Sequence, residues 1–351
     1  MSKRVSIKDI AELAGVSHST VSRALHGRGR MSEETRMRII ALAEDVGYTP
    51  DALARGLVSG ETRTIGVVVT TIADPFVVQI VDGIESVAQE AGYSVFLSAS
   101  HNDPDREMAV VETFRQRRVD AVIVTASRVG ALYADILEDF GAPIVLINNM
   151  HASKYLYSVS ADDVSGAQMA VEYLLAKGHQ RIAYIGSAER PLSSQRRWRG
   201  YLQAHKRFGI VPAAALRVEP LAETDREVGR MGLVELLDQA PSAIFTYNDM
   251  TAIGVMLEAR ARKVDIPRQL SLVGFDDIQA TQFVMPALTT IHQPRAAMGK
   301  AAMEMALSLL HGKDASNISL ACHLVERDSV SSYYGGDVMT DARQHEASLY
   351  V

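Results

Sequence analysis

The segment IKDIAELAGVSHSTVSRAL, residues 7–25, decides how the first part of this chain folds. Its apolar residues recur at the three- and four-residue spacing of two short helices. Ser6 precedes the first helix as an N-cap, and Gly15 supplies the turn because glycine adopts a positive φ without a Cβ clash. Ser17 caps a second helix, residues 17–25, which leaves hydroxyl and basic side chains on its outer face. The segment therefore predicts a helix-turn-helix whose second helix enters a DNA major groove.

A third helix, over residues 32–47, is predicted to complete a head of residues 1–47. Glu33 and Glu34 lie in its first turn, where the helix dipole stabilises negative charge. A small three-helix unit with a purely structural role is the alternative. Such a unit would not need the hydroxyl groups and the arginine that the second helix presents outward, whereas these groups bind base edges and phosphates.

Charge is unevenly distributed along the 351 residues, although the net charge of the whole chain is −6. Residues 1–31 hold six basic side chains against two acidic ones, which favours contact with a polyanion. The single cysteine, Cys322, excludes an intramolecular disulfide framework and favours a reducing compartment. The sequence also lacks a signal-peptide pattern and an apolar run long enough for a membrane span, so we expect a cytoplasmic protein.

The head resembles the DNA-binding domain of the lactose-repressor (LacI/GalR) family at nearly every fixed position of that family's pattern. The matching run is SIKDIAELAGVSHSTVSRALHGRGRMSEETRMRIIALAEDVGYTPDALARGL, residues 6–57. The resemblance implies that His18 and Ser19 select operator bases and that Thr20 and Arg23 contact phosphate and base edges. The DNA-binding residues that it implies are Ser6, Ser17, His18, Ser19, Thr20, Arg23, Arg30, Arg55 and Leu57. Two positions depart from the family pattern, which has Asn where this chain has His26 and Asp51.

Residues 48–63 are predicted to form a hinge. Pro50 separates them from the head, and residues 51–57 have the length of two helical turns, too short to be stable alone in water. The resemblance to the family's hinge helix implies that this segment folds on DNA, where two such helices enter the minor groove and Leu57 wedges into the central base step. A plain linker is the alternative, although the sequence ALARGL is not typical of one.

Strand and helix patterns alternate over residues 64–330. The first strand, TIGVVVT at residues 64–70, is a β-branched run typical of a buried parallel strand. The alternation predicts an α/β body made of two consecutive parallel units, with a cleft between two lobes. We expect one last strand over residues 318–325 and a disordered tail over residues 331–351, which have no apolar period.

Polar residues follow several of the predicted strands, at the ends where parallel sheets bind ligands. Carboxylates and amides dominate there, and such groups hydrogen-bond sugar hydroxyls. Several runs, among them RRWRGY at residues 196–201 and LSLVGFDD at residues 270–277, also match the family's effector domain, which resembles a periplasmic sugar-binding protein. The effector contacts implied by that resemblance are Asp74, Phe76, Asn148, Asp162, Arg197, Asn248, Asp276 and Gln293.

Some polar residues of the body also fit structural roles. Arg197 suits an ion pair between the lobes, and Asp249 and Asp277 suit helix N-caps better than ligand contacts. His179 and His292 lie in no group with metal-ligand spacing. The sequence carries no catalytic motif, so we predict neither a cofactor nor a metal site and do not expect an enzyme.

These features together predict a sequence-specific transcription regulator, a repressor that a small carbohydrate releases from a palindromic operator. The tail lacks the leucine heptads of a tetramerising helix, which favours a homodimer. A co-repressor mode, in which a nucleobase or another metabolite strengthens DNA binding, stays open. The basic head argues against a sugar-binding transport module, and the lack of an activated nucleophile argues against a sugar-modifying enzyme.

Leu57→Ala is expected to weaken operator binding and leave effector affinity almost unchanged, because it removes only the apolar wedge between base pairs. Fluorescence anisotropy with a labelled operator and a separate effector titration measure the two affinities. Loss of both affinities would contradict the assignment of residues 51–57 to a DNA-dependent hinge.

Overall fold

The computed structural model describes residues 5–25, 29, 31–48, 61–125, 141–148, 156–188 and 191–334. The chain divides into two compact units, Met1–Arg63 and Thr64–Val351. Several predictions lie outside the described residues, namely those for Arg30, Arg55, Leu57, His26, Asp51 and the helix expected near residues 129–140.

The first unit contains the three helices α1 (Ile7–Ala14), α2 (His18–Leu25) and α3 (Glu33–Asp45). Ile10, Val21 and Ile39, one from each helix, are completely buried and form the centre of its core. The apolar stripes of the three helices therefore meet as the sequence indicates, and the predicted helix-turn-helix with its supporting helix is confirmed.

Local hydrogen bonds fix the start and the end of α1. The backbone N–H and the hydroxyl of Ser6 both lie 2.7 Å from Oδ2 of Asp9, and this pair forms a capping box. Gly15 ends the helix with φ of 66°, a left-handed conformation that glycine adopts without strain. The capping box and the glycine turn each involve residues only a few positions apart, so both can be recognised in the sequence.

The second unit contains twelve strands and seven helices within the described residues. Its strands are β1 (Thr64–Val69), β2 (Ser94–Ala99), β3 (Ala121–Thr125), β4 (Ile144–Ile147), β5 (Leu156–Ala161), β6 (Ile182–Ile185), β7 (Arg217–Val218), β8 (Ala243–Thr246), β9 (Ser271–Asp276), β10 (Thr289–His292), β11 (Ile318–Leu320) and β12 (His323–Val325). Its helices are α4 (Pro75–Glu90), α5 (Pro104–Gln116), α6 (Asp163–Ala176), α7 (Pro191–Arg207), α8 (Asp225–Leu236), α9 (Asp249–Ala261) and α10 (Arg295–Leu310).

Two six-stranded sheets divide this unit into two lobes. The first lobe has the strand order β11-β5-β4-β3-β1-β2, and the second has the order β12-β10-β9-β8-β6-β7. The pairs of neighbouring strands are parallel except β10 and β12, which are antiparallel. The central strands β3, β4, β8 and β9 are buried along their whole length, as expected for strands covered on both faces. The predicted two-lobed α/β body is confirmed.

The chain passes between the lobes three times: between β5 and α6, between β10 and α10, and between β11 and β12. Helix α6 packs on the second lobe, whereas α10 packs against α4 and the first sheet. The prediction of one strand over residues 318–325 is therefore wrong. Its two halves, separated by Ala321 and Cys322, pair with different sheets.

The predicted tail also begins too early. The backbone N–H of Ser331 donates to Oγ of Ser271 at 3.1 Å, and the Ser331 hydroxyl donates to the Pro267 carbonyl at 2.9 Å. The ring of Tyr333 stacks on His179 with the centroids 5.4 Å apart. Residues 331–334 thus belong to the second lobe, because backbone and ring contacts hold them there without an apolar period in their sequence.

Glycines allow three helix pairs to pack closely. A Cβ at Gly299 of α10 would lie 2.1 Å from the Ile80 carbonyl oxygen of α4, and a Cβ at Gly254 of α9 would lie 2.0 Å from the Arg226 carbonyl oxygen of α8. A similar contact joins Gly200 of α7 to α6. Backbone oxygen atoms cannot move aside as a side-chain tip can, so a Cβ at these positions would force the paired helices apart.

Gly299→Ala is expected to lower the free energy of unfolding by about 2–3 kcal/mol, because the new methyl group overpacks the α4–α10 contact. Chemical denaturation measures this value. Ala297→Gly, at an exposed position of the same helix, serves as the control and should cost no more than about 1 kcal/mol. A neutral or stabilising effect of Gly299→Ala would contradict the close approach of the two helices.

Candidate functional site

The outer face of α2 presents the side chains that were predicted to contact DNA. His18, Ser19 and Arg23 are exposed on it. Oγ of Ser17 accepts a hydrogen bond from the Thr20 N–H at 3.2 Å and lies 2.7 Å from the Thr20 hydroxyl. This N-cap sets the start of the helix and places a row of hydroxyl groups and one guanidinium on a single surface.

Two predicted DNA contacts of the head are engaged in local hydrogen bonds. Nε of Arg23 donates to the Ser19 carbonyl at 3.1 Å, which holds the guanidinium along the helix. The Ser6 hydroxyl donates to Asp9 within the capping box. These local hydrogen bonds hold the Arg23 side chain along α2 and the Ser6 side chain at the start of α1.

A chain of polar contacts links the two lobes at the carboxyl ends of their strands. Asn148, directly after β4, donates through Nδ2 to Oε1 of Gln293 at 3.5 Å. Nε2 of Gln293 donates to Oδ1 of Asp276 at 2.6 Å, and this carboxylate oxygen lies 3.9 Å from Nη1 of Arg197. Four of the eight predicted effector contacts are thus brought together, although their positions span 145 residues of sequence.

Arg197 forms the buried end of this chain. Its Nε donates to Oδ1 of Asp163 at 2.9 Å, and its Nη1 donates to the Tyr247 carbonyl. The guanidinium also lies 3.8 Å from the centroid of the Phe275 ring. Burial acts to lower the pKa of Arg197, but Asp163, Tyr247 and Asp276 together outweigh burial and raise this pKa above its usual range. Arg197 thus forms an ion pair, but the prediction that this pair joins the two lobes is wrong, because Asp163 begins α6, which packs on the second lobe together with α7.

Asp276 and Asp277 occupy a strained turn at the end of β9. Their φ angles are 121° and 57°, in the region that favours glycine. Burial raises the pKa of Asp276 well above its usual range, although the Arg197 charge acts in the opposite direction. The turn directs the Asp276 carboxyl towards Gln293 and Arg197, so the strain coincides with a candidate ligand contact.

Asp249 helps to hold this turn in place. It is completely buried, and its two carboxylate oxygens accept hydrogen bonds from the Thr290 hydroxyl at 2.5 Å and from the Ile278 N–H at 2.9 Å. Burial raises its pKa to about 7, and these two hydrogen bonds partly offset that effect. The expectation that Asp249 caps a helix is wrong, because Asn248 is the N-cap of α9.

Asp277 is not a helix cap either. Its carboxylate accepts hydrogen bonds from Nη2 of Arg327 at 2.6 Å and lies 2.8 Å from Nδ1 of His292. Burial acts to raise its pKa, but these two partners hold the pKa of Asp277 below its usual range. His292 therefore has the structural role that the sequence suggests.

Three other predicted effector contacts cap helices at the same strand ends. Asp74 accepts from the Phe76 N–H at the start of α4, and Asp162 accepts from the N–H and the hydroxyl of Ser165 at the start of α6. Asn248 accepts from Thr251 through its oxygen and donates to Asp225 at 2.7 Å through its nitrogen. Phe76 is half-buried.

Sequence reasoning missed Asp163 as the partner of Arg197, and it missed Arg295, which lies beside the predicted contacts. The guanidinium of Arg295 donates to the Asp277 carbonyl and lies 6.0 Å from the centroid of the Phe76 ring. The sequence does contain a signal for Arg295, namely the run TTIH at residues 289–292. Reading this run as strand β10 places Arg295 just past the end of a strand, where ligand contacts are expected.

The described residues contain no cluster of three or more His, Cys, Asp or Glu side chains suited to a metal ion. No helix among them has the length and apolar character needed to cross a membrane.

An apolar groove lies on the second lobe, outside the polar chain. Its volume is about 590 Å³, and Met256, Phe283 and Met285 contribute to its lining. Phe283 is 75% exposed and Met285 is 94% exposed. None of the eight predicted effector contacts lines this groove.

Known families match one stretch in each of the two units. Residues 6–51 match bacterial regulatory proteins of the lacI family, and residues 171–330 match a periplasmic binding protein-like domain. The HTH-type transcriptional repressor CytR of Escherichia coli (strain K12) is 35% identical over 333 residues, which cover 92% of this chain and 96% of that protein.

Solved structures agree with this relationship. The Lac repressor dimer bound to operator and the anti-inducer ONPF has a TM-score of 0.82 at 26% identity, covering 94% of this chain and 100% of that chain. A LacI family transcriptional regulator from Enterococcus faecium with bound ribose has a TM-score of 0.69 at 25% identity, covering 77% of this chain and 99% of that chain. The chain therefore belongs to the lacI family of bacterial regulatory proteins, and it is a DNA-binding transcriptional regulator.

Proposed function

We propose that this regulator is a repressor that binds a palindromic operator as a homodimer and is released by a small carbohydrate bound between its lobes. The observation that carries the proposal is the polar chain from Asn148 through Gln293 and Asp276 to Arg197, which joins both lobes at their strand ends. Amides, a carboxyl and a guanidinium match the paired donors and acceptors of sugar hydroxyls. Since its target is chromosomal DNA, we place the protein in the cytoplasm, and we assign it no catalytic role.

The head supplies the DNA contacts in this proposal. His18 and Ser19 face outward near the start of α2, the end of a recognition helix that reaches base edges in helix-turn-helix proteins. Thr20 and Arg23 then bind phosphate or base edges, and Ser17 donates to the DNA backbone. Each copy reads one half-site, so a twofold dimer requires an operator of matching symmetry.

The body transmits the effector signal through its three crossovers. A ligand that replaces the weak Asn148–Gln293 contact, 3.5 Å long, changes the angle at which the lobes are held. Residues 48–63 join the head of each subunit to its first lobe. A change in the distance between these segments of the two subunits therefore alters how they pair on DNA. Switches of this kind typically have a coupling free energy of about 1–3 kcal/mol.

Exposed apolar surfaces on both lobes suit the proposed dimer. The groove beside Phe283 and Met285 belongs to the second lobe, and Val78 of α4 and Phe96 of β2 are exposed apolar side chains on the first. Apolar surface of this kind is costly in water and typical of subunit contacts. Helices of each lobe would therefore pack against the equivalent helices of the second subunit.

Ser19→Ala is expected to reduce discrimination between operator half-sites by about tenfold, because one base contact typically contributes about 1–3 kcal/mol. Selection from a randomised operator library followed by anisotropy measures this change. Glu44→Gln, exposed on α3, is the matched control and should leave discrimination unchanged. An equal loss of affinity for every DNA sequence would instead assign Ser19 to phosphate contact.

Asp276→Asn is expected to abolish the response to the effector while operator affinity without ligand stays within about twofold, since the amide has the same size but replaces one of the two carboxyl oxygens with an NH2 donor. Operator titrations with and without a panel of sugars and nucleobases give the result. Asp314→Asn, at an exposed position, is the control. Arg197→Ala is a poorer choice, because it leaves the buried Asp163 uncompensated and lowers stability.

The sign of the ligand effect in the wild-type protein separates the two regulatory modes. A ligand that weakens operator binding identifies an inducer, and one that strengthens it identifies the co-repressor mode. A protein that binds operator with no response to any ligand in the panel would contradict the proposed effector role of the cleft.

A further inference from the structure

Arg295 is a buried cation with incomplete hydrogen bonding. It is the first residue of α10, where the chain crosses into the first lobe, and only 2% of its surface is exposed. Its Nη2 donates to the Asp277 carbonyl, whereas its Nε and Nη1 are buried without a hydrogen-bond partner. No carboxylate oxygen of the described residues lies within 4.0 Å of its guanidinium.

Such an arrangement is costly in a protein that binds nothing there. A buried charged donor without an acceptor loses its hydration and gains no bond in exchange. Arginine is usually buried only when an anion or a set of carbonyl groups satisfies its planar fork. The two unused nitrogens of Arg295 therefore indicate an acceptor that arrives from outside the chain.

The neighbouring carboxylates do not supply that acceptor. Asp249 already accepts from Thr290 and Ile278, and Asp276 accepts from Gln293. The charge of Arg295 acts to lower the pKa of both acids, so they lie near it. Burial nevertheless raises both pKa values above the usual range, which limits how far these acids neutralise the guanidinium.

The start of α10 adds a second preference for negative charge. This 16-residue helix has Pro294 at its N-cap, and no side chain caps its first turn. Free N–H groups and the helix dipole at such an end attract anions. The Phe76 ring, 6.0 Å from the guanidinium, brings the first lobe to the same place.

We infer that Arg295 is a specificity-determining residue of the cleft and that it binds an anionic substituent, a phosphate or a carboxylate, on a sugar effector. The inference rests on the proposed function, in which a carbohydrate occupies this cleft. Asn148, Gln293 and Asp276 bind the neutral hydroxyl groups, and Arg295 with the start of α10 binds the charged end. Charge-assisted hydrogen bonds from arginine suit both anions, and the experiment distinguishes the two sources.

Matched ligands test this assignment on the full-length protein by titration calorimetry. The panel pairs ribose with ribose 5-phosphate, and glucose with glucose 6-phosphate and with glucuronate, and it includes inorganic phosphate alone. The wild-type protein should bind at least one anionic sugar about ten- to a hundredfold more tightly than its neutral parent, the range for hydrogen bonds to a charged group. A preference for the phosphorylated or for the carboxylated member identifies the source of the anion.

Arg295→Met should reduce that preference to about one while the affinity for the neutral parent changes less than about threefold. Arg295→Lys, which keeps the charge but loses the planar fork, should retain part of the preference. Arg268→Met, at an exposed arginine, is the control and should behave as the wild type. Operator affinity without ligand and the melting temperature verify that each variant is folded.

Several results would overturn the inference. The wild-type protein could bind neutral sugars as tightly as their anionic partners. Arg295→Met could lose affinity for the neutral and the anionic sugar equally. The panel could also contain no anion whose binding depends on Arg295. If Arg295→Met does not fold, the wild-type preference and Arg295→Lys decide the question. Operator release by a neutral sugar alone would end the anion assignment and leave the proposed repressor function intact.

Discussion

The ion pair between Arg197 and Asp163 is the interaction on which the arrangement of the body depends. Both side chains are almost completely buried, with Nε and Oδ1 2.9 Å apart. Removing one member of such a pair typically costs about 3–5 kcal/mol, because the other charge is left buried and uncompensated. Asp163 begins α6, directly after the chain has crossed from the first sheet. The pair therefore ties the first crossover to α7 of the second lobe.

The same guanidinium connects this structural role to the ligand cleft. Arg197 contacts the Tyr247 carbonyl and lies 3.9 Å from the Asp276 carboxyl, so its position organises the ends of β8 and β9. Asp249 fixes the other side of Asp276 through the Ile278 N–H. Asp276 and Asp277 both have positive φ, and Arg197 and Asp249 hold the turn that they form. Buried hydrogen bonds offset the backbone strain of these two residues. A ligand that contacts Asp276 thus acts on groups whose positions are fixed before it binds.

The crossovers connect the candidate cleft to the packing of both lobes. Gln293 lies between β10 and α10, and the glycine contact at Gly299 binds α10 closely to α4 of the first lobe. A displacement of Gln293 therefore acts on the start of α10, which packs along the first lobe. The Asn148–Gln293 contact, 3.5 Å long, is long for a hydrogen bond, and it is the member of the polar chain that joins the two lobes.

The sequence by itself determined those features that depend on near neighbours. The capping box of Ser6 and Asp9, the turn at Gly15 and the apolar stripes of α1 to α3 follow from residues within one or two helical turns. The buried strand β1 is recognisable because its β-branched run is continuous. Family resemblance then supplied the assignment of the head and named the residues expected in the cleft.

Only the tertiary structure decided which of those residues meet and what each one does. The short strands β5, β7 and β10 carry no strong pattern, and pairing with distant strands stabilises them. The segment over residues 318–325 reads as one strand, but its halves join sheets in different lobes. Arg197 and Asp163 are 34 residues apart, and the Asp277 carbonyl that accepts from Arg295 lies 18 residues before it. Local sequence cannot reveal such partners, because burial and charge at these positions are set by the packing of elements that are remote along the chain.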